Sequence, residues 1–165
     1  MSVTVERATT RKGWLLKADF VVPRPIDEVF PFFADAYELE RITPPILHFS
    51  VLTPKPIEMR EGLTLDYKLK LRGIPIRWRS LISAWEPNRR FVDEQLKGPY
   101  SWWHHEHLFE EVDDGTRVID NVHYGVPGGA IINALLVEKD VKNIFEYRQR
   151  VMAEIFAARP EPLSV

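Results

Sequence analysis

Cysteine is absent from the 165 residues of the chain, which excludes disulfide bonds, thiol catalysis and thiolate ligation of a metal. Hydrophobic runs are short, and none approaches the ~18 apolar residues of a membrane-spanning helix. Charge of one sign does not dominate either, since 22 basic and 24 acidic side chains leave a formal net charge of -2. A general nucleic-acid-binding protein is normally basic, so we expect no nucleic-acid partner. The N-terminus, MSVTVERATTRKGW, lacks the apolar core of a signal peptide, which predicts a cytoplasmic location.

Glycine is scarce while proline is frequent, with eight glycines against 13 prolines, and this favours defined turns over flexible linkers. The length predicts a single domain over residues 1–165, with an ordered core at about 14–157. Residues 1–12 are polar and are expected to fray. The tail RPEPLSV, residues 159–165, is predicted to be disordered.

Alternating apolar residues predict seven strands, and helical spacing predicts the rest of the secondary structure. The predicted strands are WLLKADFVV (14–22), ILHFSVLT (46–53), LTLDYKLKLR (63–72), IPIRWRSLISAW (74–85), RFVDEQL (90–96), GPYSWWHHEHLF (98–109) and TRVIDNVHYGV (116–126). Between the first two strands, IDEVFPFFADAYELERI has the spacing of a helix, but Pro31 and Asp35 divide it into two short ones. A long helix is predicted from about residue 130 to residue 158, roughly 40 Å in length.

The stretch from Gly98 to Phe109 is the most informative part of the sequence. Residues two apart share one face of a strand, so Trp103, His105 and His107 lie on the same face as Phe109. A core strand seldom places two histidines on its buried face. This pattern is typical of the wall of a semi-polar pocket.

Several segments resemble the START/SRPBCC superfamily, in the same order along the chain: ELERITPP, WRSLISAWEPNRRFVDEQLKGPY, WHHEHLF and GTRVIDNVHYGVPGG. Within it, the chain is similar to the small stand-alone bacterial ligand-binding proteins, over roughly residues 14–157. The resemblance implies an α+β, helix-grip (Bet v 1-like) fold, in which a seven-stranded antiparallel sheet wraps around a long C-terminal helix. Two short helices follow the first strand. The superfamily includes lipid carriers, hormone receptors and polyketide aromatase/cyclases, so the fold alone does not define the function.

Counting residues in the hairpins places three polar side chains in one row. A three-residue loop at 98–100 would set Asp93 opposite His105, and a two-residue loop at Asp114-Gly115 would set His105 opposite Tyr124. The row fits three interpretations: an acid/base relay, an anchor for a ligand's oxygen, or buried polar groups that satisfy one another. The relay is the least favoured because no separate nucleophile stands beside the base.

A metal site is a further interpretation of the two histidines. His105 and His107 lie ~6.7 Å apart along a strand and would bind one zinc ion if Asp93 or Asp120 joined them. Such spacing is a loose signal, and the resemblance brings no metal with it. We therefore expect neither a metal nor another cofactor.

The sequence favours a protein that binds a small, mostly hydrophobic molecule with at least one oxygen, in a cavity between the sheet and the C-terminal helix. The alternatives are an enzyme of the aromatase/cyclase or hydratase type, with His105, Asp93 and Tyr124 as candidate catalytic residues, and an interaction domain with a filled interior. The segment AIINALLV (130–137) is apolar all round, which leaves open a pocket lid, burial or a homodimer contact. The predicted ligand-binding residues are Tyr67, Leu69, Trp78, Ser80, Phe91, Asp93, Gln95, Trp103, His105, His107, Phe109, Asp120, Val122 and Tyr124.

Overall fold

The computed structural model describes residues 2–157, in which eight strands form a single antiparallel sheet. The strands are β1 (Ser2–Arg7), β2 (Trp14–Val22), β3 (Ser50–Val51), β4 (Thr64–Leu71), β5 (Ile74–Glu86), β6 (Arg90–Lys97), β7 (Trp102–Val112) and β8 (Gly115–Gly125). Their order across the sheet is β1-β2-β8-β7-β6-β5-β4-β3. Strands that are consecutive in sequence are neighbours in the sheet, except that β2 pairs with β8 while β3 lies at the far edge. The two short helices separate β2 from β3 in the sequence.

Two short helices, a 3-10 turn and one long helical region complete the fold. The short helices are α1 (Ile26–Phe33) and α2 (Glu38–Arg41), and the 3-10 turn is Pro45–Leu47. The long C-terminal region is continuous and consists of α3 (Gly129–Ile132), a π-helical turn (Asn133–Val137) and α4 (Glu138–Ala157). Pro25 precedes α1, and Asp27 and Glu28 in the first turn complement the positive end of the helix dipole. The predicted α+β helix-grip fold is confirmed, with eight strands instead of seven.

The additional strand is β1, where the sequence predicted a fraying N-terminus. β1 pairs with β2 along its whole length, with Val3 opposite Ala18 and Val5 opposite Leu16. Its alternation is short and mostly polar, which hid it from a periodicity argument. The Gln149 side chain of α4 donates a hydrogen bond to the backbone oxygen of Ser2 at 3.3 Å, which ties the strand to the helix.

The predicted strand at 46–53 is mostly wrong. Only Ser50–Val51 is a strand, and the 3-10 turn occupies Pro45–Leu47. Pro45 begins the turn, and His48 at its end has a φ of +45°, which interrupts the extended backbone that a strand requires. The tail predicted to be disordered, residues 159–165, lies outside the described residues.

The hairpin between β7 and β8 has a register two residues away from the predicted one. The turn is Asp113-Asp114, not Asp114-Gly115, and Val112 pairs with Gly115. Gly115 has a φ of +139°, and a Cβ atom there would lie 2.1 Å from the backbone oxygen of Val22. Glycine is therefore required at this position both by the positive φ and by the close approach of another backbone. A shift of two residues leaves every side chain on its predicted face.

The hairpin between β6 and β7 has the predicted register. Asp93 lies opposite His105, and Phe91 lies opposite His107. Both strands belong to the middle of the sheet, with β8 on one side and β5 on the other. The polar residues are thus surrounded by paired backbone on both sides.

The apolar core extends along the inner face of the sheet, under α1 and α4. At its centre the Phe30 ring of α1 contacts the rings of Trp85, Phe91 and Phe109, at centroid distances of 5.3, 6.2 and 5.0 Å. Met152 of α4 is fully buried in the same cluster. A second cluster lies under the first half of the C-terminal helical region and contains Leu16, Ala18, Val122, Tyr124, Val126, Val141 and Phe145. No helix among the described residues is long and apolar enough to cross a membrane.

Candidate functional site

A cavity of about 160 Å³ lies between the inner face of the sheet and α4, with α1 and α2 along one side. Strands β4 to β7 supply one wall, and α4 supplies the opposite one. Most of the lining is apolar or aromatic, including Phe33, Phe49, Leu69, Trp78, Phe91, Tyr100, Trp103 and Phe145. A smaller set of polar side chains interrupts this lining: Asp35, Glu38, Thr43, Tyr67, Ser80, Asp93, His105, His107 and Arg148. Apolar walls with a few polar groups are the usual composition of a small-molecule site.

The structure brings nine of the 14 predicted ligand-binding residues to the cavity wall. They are Tyr67, Leu69, Trp78, Ser80, Phe91, Asp93, Trp103, His105 and His107. The other five, Gln95, Phe109, Asp120, Val122 and Tyr124, are not part of the lining. Phe109 and Val122 belong to the core clusters, and Gln95 hydrogen-bonds the backbone of Tyr100.

The predicted row of Asp93, His105 and Tyr124 is wrong in its third member. Because of the register shift, His105 lies opposite Val122, and Tyr124 lies opposite Trp103. The Tyr124 hydroxyl donates to Oδ1 of Asn133 in the π-helical turn at 3.1 Å. Tyr124 is therefore engaged with the helix and is separated from the imidazole that it was expected to assist.

Asp120, and not Tyr124, is the second polar partner of His105. It completes a ring of four side chains, the Asp–His cluster: Asp93, His105, His107 and Asp120. His105 Nε2 lies 2.7 Å from Asp120 Oδ1, and His107 Nε2 lies 2.7 Å from Asp93 Oδ2. The remaining ring nitrogens face the opposite carboxylates, at 3.5 Å for His105 to Asp93 and 3.2 Å for His107 to Asp120. The two imidazoles stack with centroids 3.6 Å apart. The ring thus joins β6, β7 and β8.

Electrostatics distinguish the two histidines. Burial and the neighbouring His107 lower the pKa of His105, and the carboxylates only partly offset this. Burial opposes a charge on His107 too, but the carboxylates of Asp120 and Asp93 outweigh it and raise the pKa of His107. Burial alone would raise the pKa of each carboxyl group, yet the imidazoles lower the pKa of both Asp93 and Asp120. Because two like charges at this separation repel, the first proton that the stacked pair takes up goes to His107, whose pKa is raised.

The same assignment explains the contact distances. In a neutral imidazole one nitrogen carries hydrogen and the other does not. The short contact assigns the hydrogen of His105 to Nε2, which donates to Asp120. The bare Nδ1 then faces Asp93 Oδ2 at 3.5 Å, the longest of the four contacts.

Part of the cluster has the composition of a metal site. Ligand atoms of Asp93, His105 and His107 lie within 4.8 Å of one another, so these residues are the ones that could hold an ion. A metal requires both imidazole lone pairs to converge on one point at about 2.0–2.1 Å. The rings instead lie at 26° to each other, and their Nε2 atoms point to different carboxylates. This arrangement favours ion pairs, and the absence of a metal stays a prediction.

The contribution of the Asp–His cluster to the free energy of unfolding should depend on pH, with a maximum near pH ~6.5. Between about pH 4 and 6.5 the unfolded chain protonates both histidines whereas the folded chain protonates one, so stability rises with pH. Above this range the contribution of His107 is lost as the pH rises through its raised folded pKa. Below it, the contribution of the carboxylates is lost as the pH falls through the lowered folded pKa values of Asp93 and Asp120.

Urea unfolding from about pH 4 to 9 measures this profile. His107→Gln should remove the decline above about pH 6.5, because no imidazolium is left to lose its proton. If wild type and variant decline in parallel on the alkaline side, His107 does not carry the proton assigned to it.

Sequence reasoning missed one polar residue of the cavity, Arg148 of α4. It lies one helical step beyond Val141 and Phe145, on the face that lines the cavity. Its Nε is buried and has no hydrogen-bond partner, and none of its nitrogens forms an ion pair with another described residue. Burial lowers the pKa of Arg148, and the charges of Asp120 and Asp93 only partly compensate. A cation within the apolar stripe of a helix was the signal that could have revealed it.

Side chains of α1, α2 and the segment after them also line the cavity, and none was predicted to do so. They include Phe32, Phe33, Ala36, Leu39, Ile42 and Thr43. Predicting them requires the angle at which the short helices cross the sheet, which local periodicity does not contain.

The sequence left three roles open for the segment 130–137: a pocket lid, a buried element or a dimer contact. The exposure of its side chains varies widely. Asn133 is buried, whereas Ile131 and Leu135 are 71% and 68% exposed. Segment 130–137 is therefore not a wholly buried element. A homodimer contact stays a proposal.

The antiparallel sheet and the long C-terminal helix have the helix-grip fold seen in Bet v 1-like proteins. No family model matches the chain, and no curated protein matches its sequence. Among solved structures, protein Ms6760 from Mycobacterium smegmatis superposes with a TM-score of 0.67 at 18% identity, over 95% of this chain and 99% of that one.

Two further solved structures superpose on this chain. CalU16 from Micromonospora echinospora has a TM-score of 0.61 at 18% identity, over 98% of this chain and 86% of that one. Ara h 8.0201 has a TM-score of 0.67 at 13% identity, over 94% of this chain and 100% of that one. At such identities the likeness shows the fold alone.

Proposed function

We propose that the chain binds a small, mostly apolar molecule carrying at least one oxygen, in the cavity between the sheet and α4. The observation that carries the proposal is the composition of the wall, which is apolar over most of its area, with several aromatic rings, and polar where the Asp–His cluster and Arg148 reach it. The cavity volume of about 160 Å³ argues against an interaction domain with a filled interior. Packed cores contain few voids larger than a water molecule.

An enzyme remains the second candidate, and one observation favours it. His105 and His107 lie side by side on the cavity wall, and the pKa of His105 is lowered while the pKa of His107 is raised, as a paired base and acid require. Tyr124 has no part in such a reaction, because its hydroxyl bonds Asn133. Turnover of a bound compound, lost in His105→Gln, would favour this alternative.

The binding proposal is tested with p-cresol, a single ring with one oxygen, by isothermal titration calorimetry. Leu69 lines the cavity and is 8% exposed, so Leu69→Trp fills the space and should weaken p-cresol binding at least about tenfold. Ile74→Trp adds the same side chain at a position that is 63% exposed, and it should leave binding unchanged.

Native mass spectrometry of the purified protein provides an independent measurement, since a co-purified ligand appears as added mass. Failure of p-cresol to bind wild type, or equal binding to wild type and Leu69→Trp, would exclude the cavity as the binding site.

A further inference from the structure

We infer that the ligand of this cavity is a small aromatic carboxylic acid, whose carboxylate is bound by Arg148 and Tyr67 while its ring packs among the aromatic side chains. The inference rests on the proposed function, and it adds the charge and the chemical class of the ligand. Three features of the cavity carry it: a cation without a partner, an excess of hydrogen-bond donors, and the size and composition of the remaining wall.

The cation is Arg148. A guanidinium has five N–H donors in a planar fork and is charged at every physiological pH. Arg148 is half-buried and its Nε fully buried, which is costly without hydrogen bonds, and its side chain forms none with the described residues. The guanidinium instead makes a cation–π contact with the Phe145 ring on the preceding turn, with Cζ 4.8 Å from the ring centroid. A carboxylate is the group that matches the fork with two parallel hydrogen bonds.

Asp93 does not fill this role. Its Oδ2 accepts from His107 Nε2 at 2.7 Å, and its charge acts on Arg148 only at longer range. With one proton on the stacked histidines, the Asp–His cluster has two negative charges and one positive charge, so Arg148 brings the total to zero. Long-range neutrality lowers the cost of burying Arg148, but it supplies no acceptor for the N–H groups.

The second feature is the balance of donors and acceptors at the cavity, where the carboxylates of Asp35 and Glu38 already accept from the Tyr37 N–H and the Arg41 guanidinium. Three further lining residues have a polar hydrogen and no side-chain hydrogen bond to a described residue: Tyr67, Tyr100 and Trp103. The Ser80 oxygen already accepts from the Trp78 indole at 3.0 Å. Tyr67 lines the cavity together with Arg148 and Asp93, and burial raises the pKa of its hydroxyl, which therefore stays protonated as a donor. A ligand that satisfies this wall must offer acceptors, which a carboxylate does and an amine or alkane does not.

The third feature is the size and character of the rest of the wall. An engineered apolar cavity of about 150 Å³ admits benzene, and the cavity here is about 160 Å³. Rings of Phe91, Trp78 and Trp103 line it, and the Trp78 and Trp103 rings meet edge to face at 5.3 Å. Aromatic pairs prefer such offset or edge-on geometries, and a ligand ring would extend the same packing. One ring with a short acidic arm fits both the volume and the donors.

The experiment compares phenylacetate with phenylacetamide, its neutral isostere, by isothermal titration calorimetry at neutral pH. Wild type should bind phenylacetate at least about tenfold more tightly than phenylacetamide. Arg148→Met keeps an unbranched side chain and removes the charge, so the preference should disappear while p-cresol still binds. Arg148→Lys keeps the charge without the planar fork and should retain part of the preference. Hexanoate, an aliphatic carboxylate, should bind more weakly than phenylacetate.

Each outcome bears on a different claim. If p-cresol does not bind wild type, the proposed function fails and the inference fails with it. If p-cresol binds but the carboxylate is not preferred, or the preference survives in Arg148→Met, the inference alone is overturned. Equal binding of hexanoate and phenylacetate would overturn its aromatic part. Binding of p-cresol to Arg148→Met shows that the variant is folded, so a lost preference cannot be attributed to misfolding.

Discussion

Asp120→Ala should lower the free energy of unfolding by about 3–5 kcal/mol, the usual cost of removing one partner from a buried ion pair. The Asp120 carboxylate is 2% exposed and faces both imidazoles of the Asp–His cluster. Without it the Nε2–H of His105 has no acceptor, and the imidazolium of His107 retains a single carboxylate, that of Asp93. Urea unfolding at neutral pH measures the loss.

Asp19→Ala is the matched control, because Asp19 also pairs with a cation but at the surface. Its side chain is 36% exposed and that of Arg117 is 41% exposed. An exposed ion pair contributes about 0.2–1 kcal/mol, so the control should change stability by no more than that. Asp120→Asn retains an acceptor for His105 and should fall between the two. Similar losses in Asp120→Ala and Asp19→Ala would mean that the cluster does not stabilise the fold.

Phe30→Ala should destabilise the protein by about 3–5 kcal/mol through the cavity that it leaves in the core. Phe30 is 5% exposed, and its ring contacts three aromatic side chains that join α1 to the sheet. Phe30→Leu retains most of the volume and should cost about 1.5 kcal/mol or less. Thermal and urea unfolding of both variants measure the difference.

Val21→Ala provides the surface reference for Phe30→Ala. Val21 is 48% exposed on β2, so truncating it should change stability by less than about 0.5 kcal/mol. A loss in Phe30→Ala no greater than the loss in Val21→Ala would show that α1 is not packed on the sheet as described.

The inward face of the sheet could be predicted from the sequence because alternation has a period of two. His105, His107 and Asp93 all lie where alternation and one loop count placed them. The partner of His105 could not be predicted as securely. A turn at Asp113-Asp114 and a turn at Asp114-Gly115 both satisfy the alternation, but the two pairings differ by two residues. In the structure Asp120, and not Val122, lies opposite His107. The deciding contact, between Gly115 and the backbone of Val22, joins positions far apart in the sequence.

Arg148 and β1 escaped prediction for a different reason. A single cation within an amphipathic helix usually reaches solvent, so its position in the apolar stripe had little weight beside the surrounding apolar residues. The strand β1 has few apolar residues, and it is held by pairing with β2 and by Gln149. Both depend on tertiary contacts, which local patterns contain only indirectly.

The pairing of β2 with β8 has a consequence for how the chain is made. Trp14 of β2 lies opposite Tyr124, so the first nine-residue strand of the core waits for a partner that is translated after more than a hundred further residues. At about 5–20 residues per second, that interval is on the order of 5–20 s. During synthesis the edge of β2 that pairs with β8 therefore has no partner. The helix α4, which contacts β2, is translated later still. Folding of the sheet is therefore tied to completion of the chain, and ribosome-bound fragments ending before β8 expose an unpaired edge to chaperones.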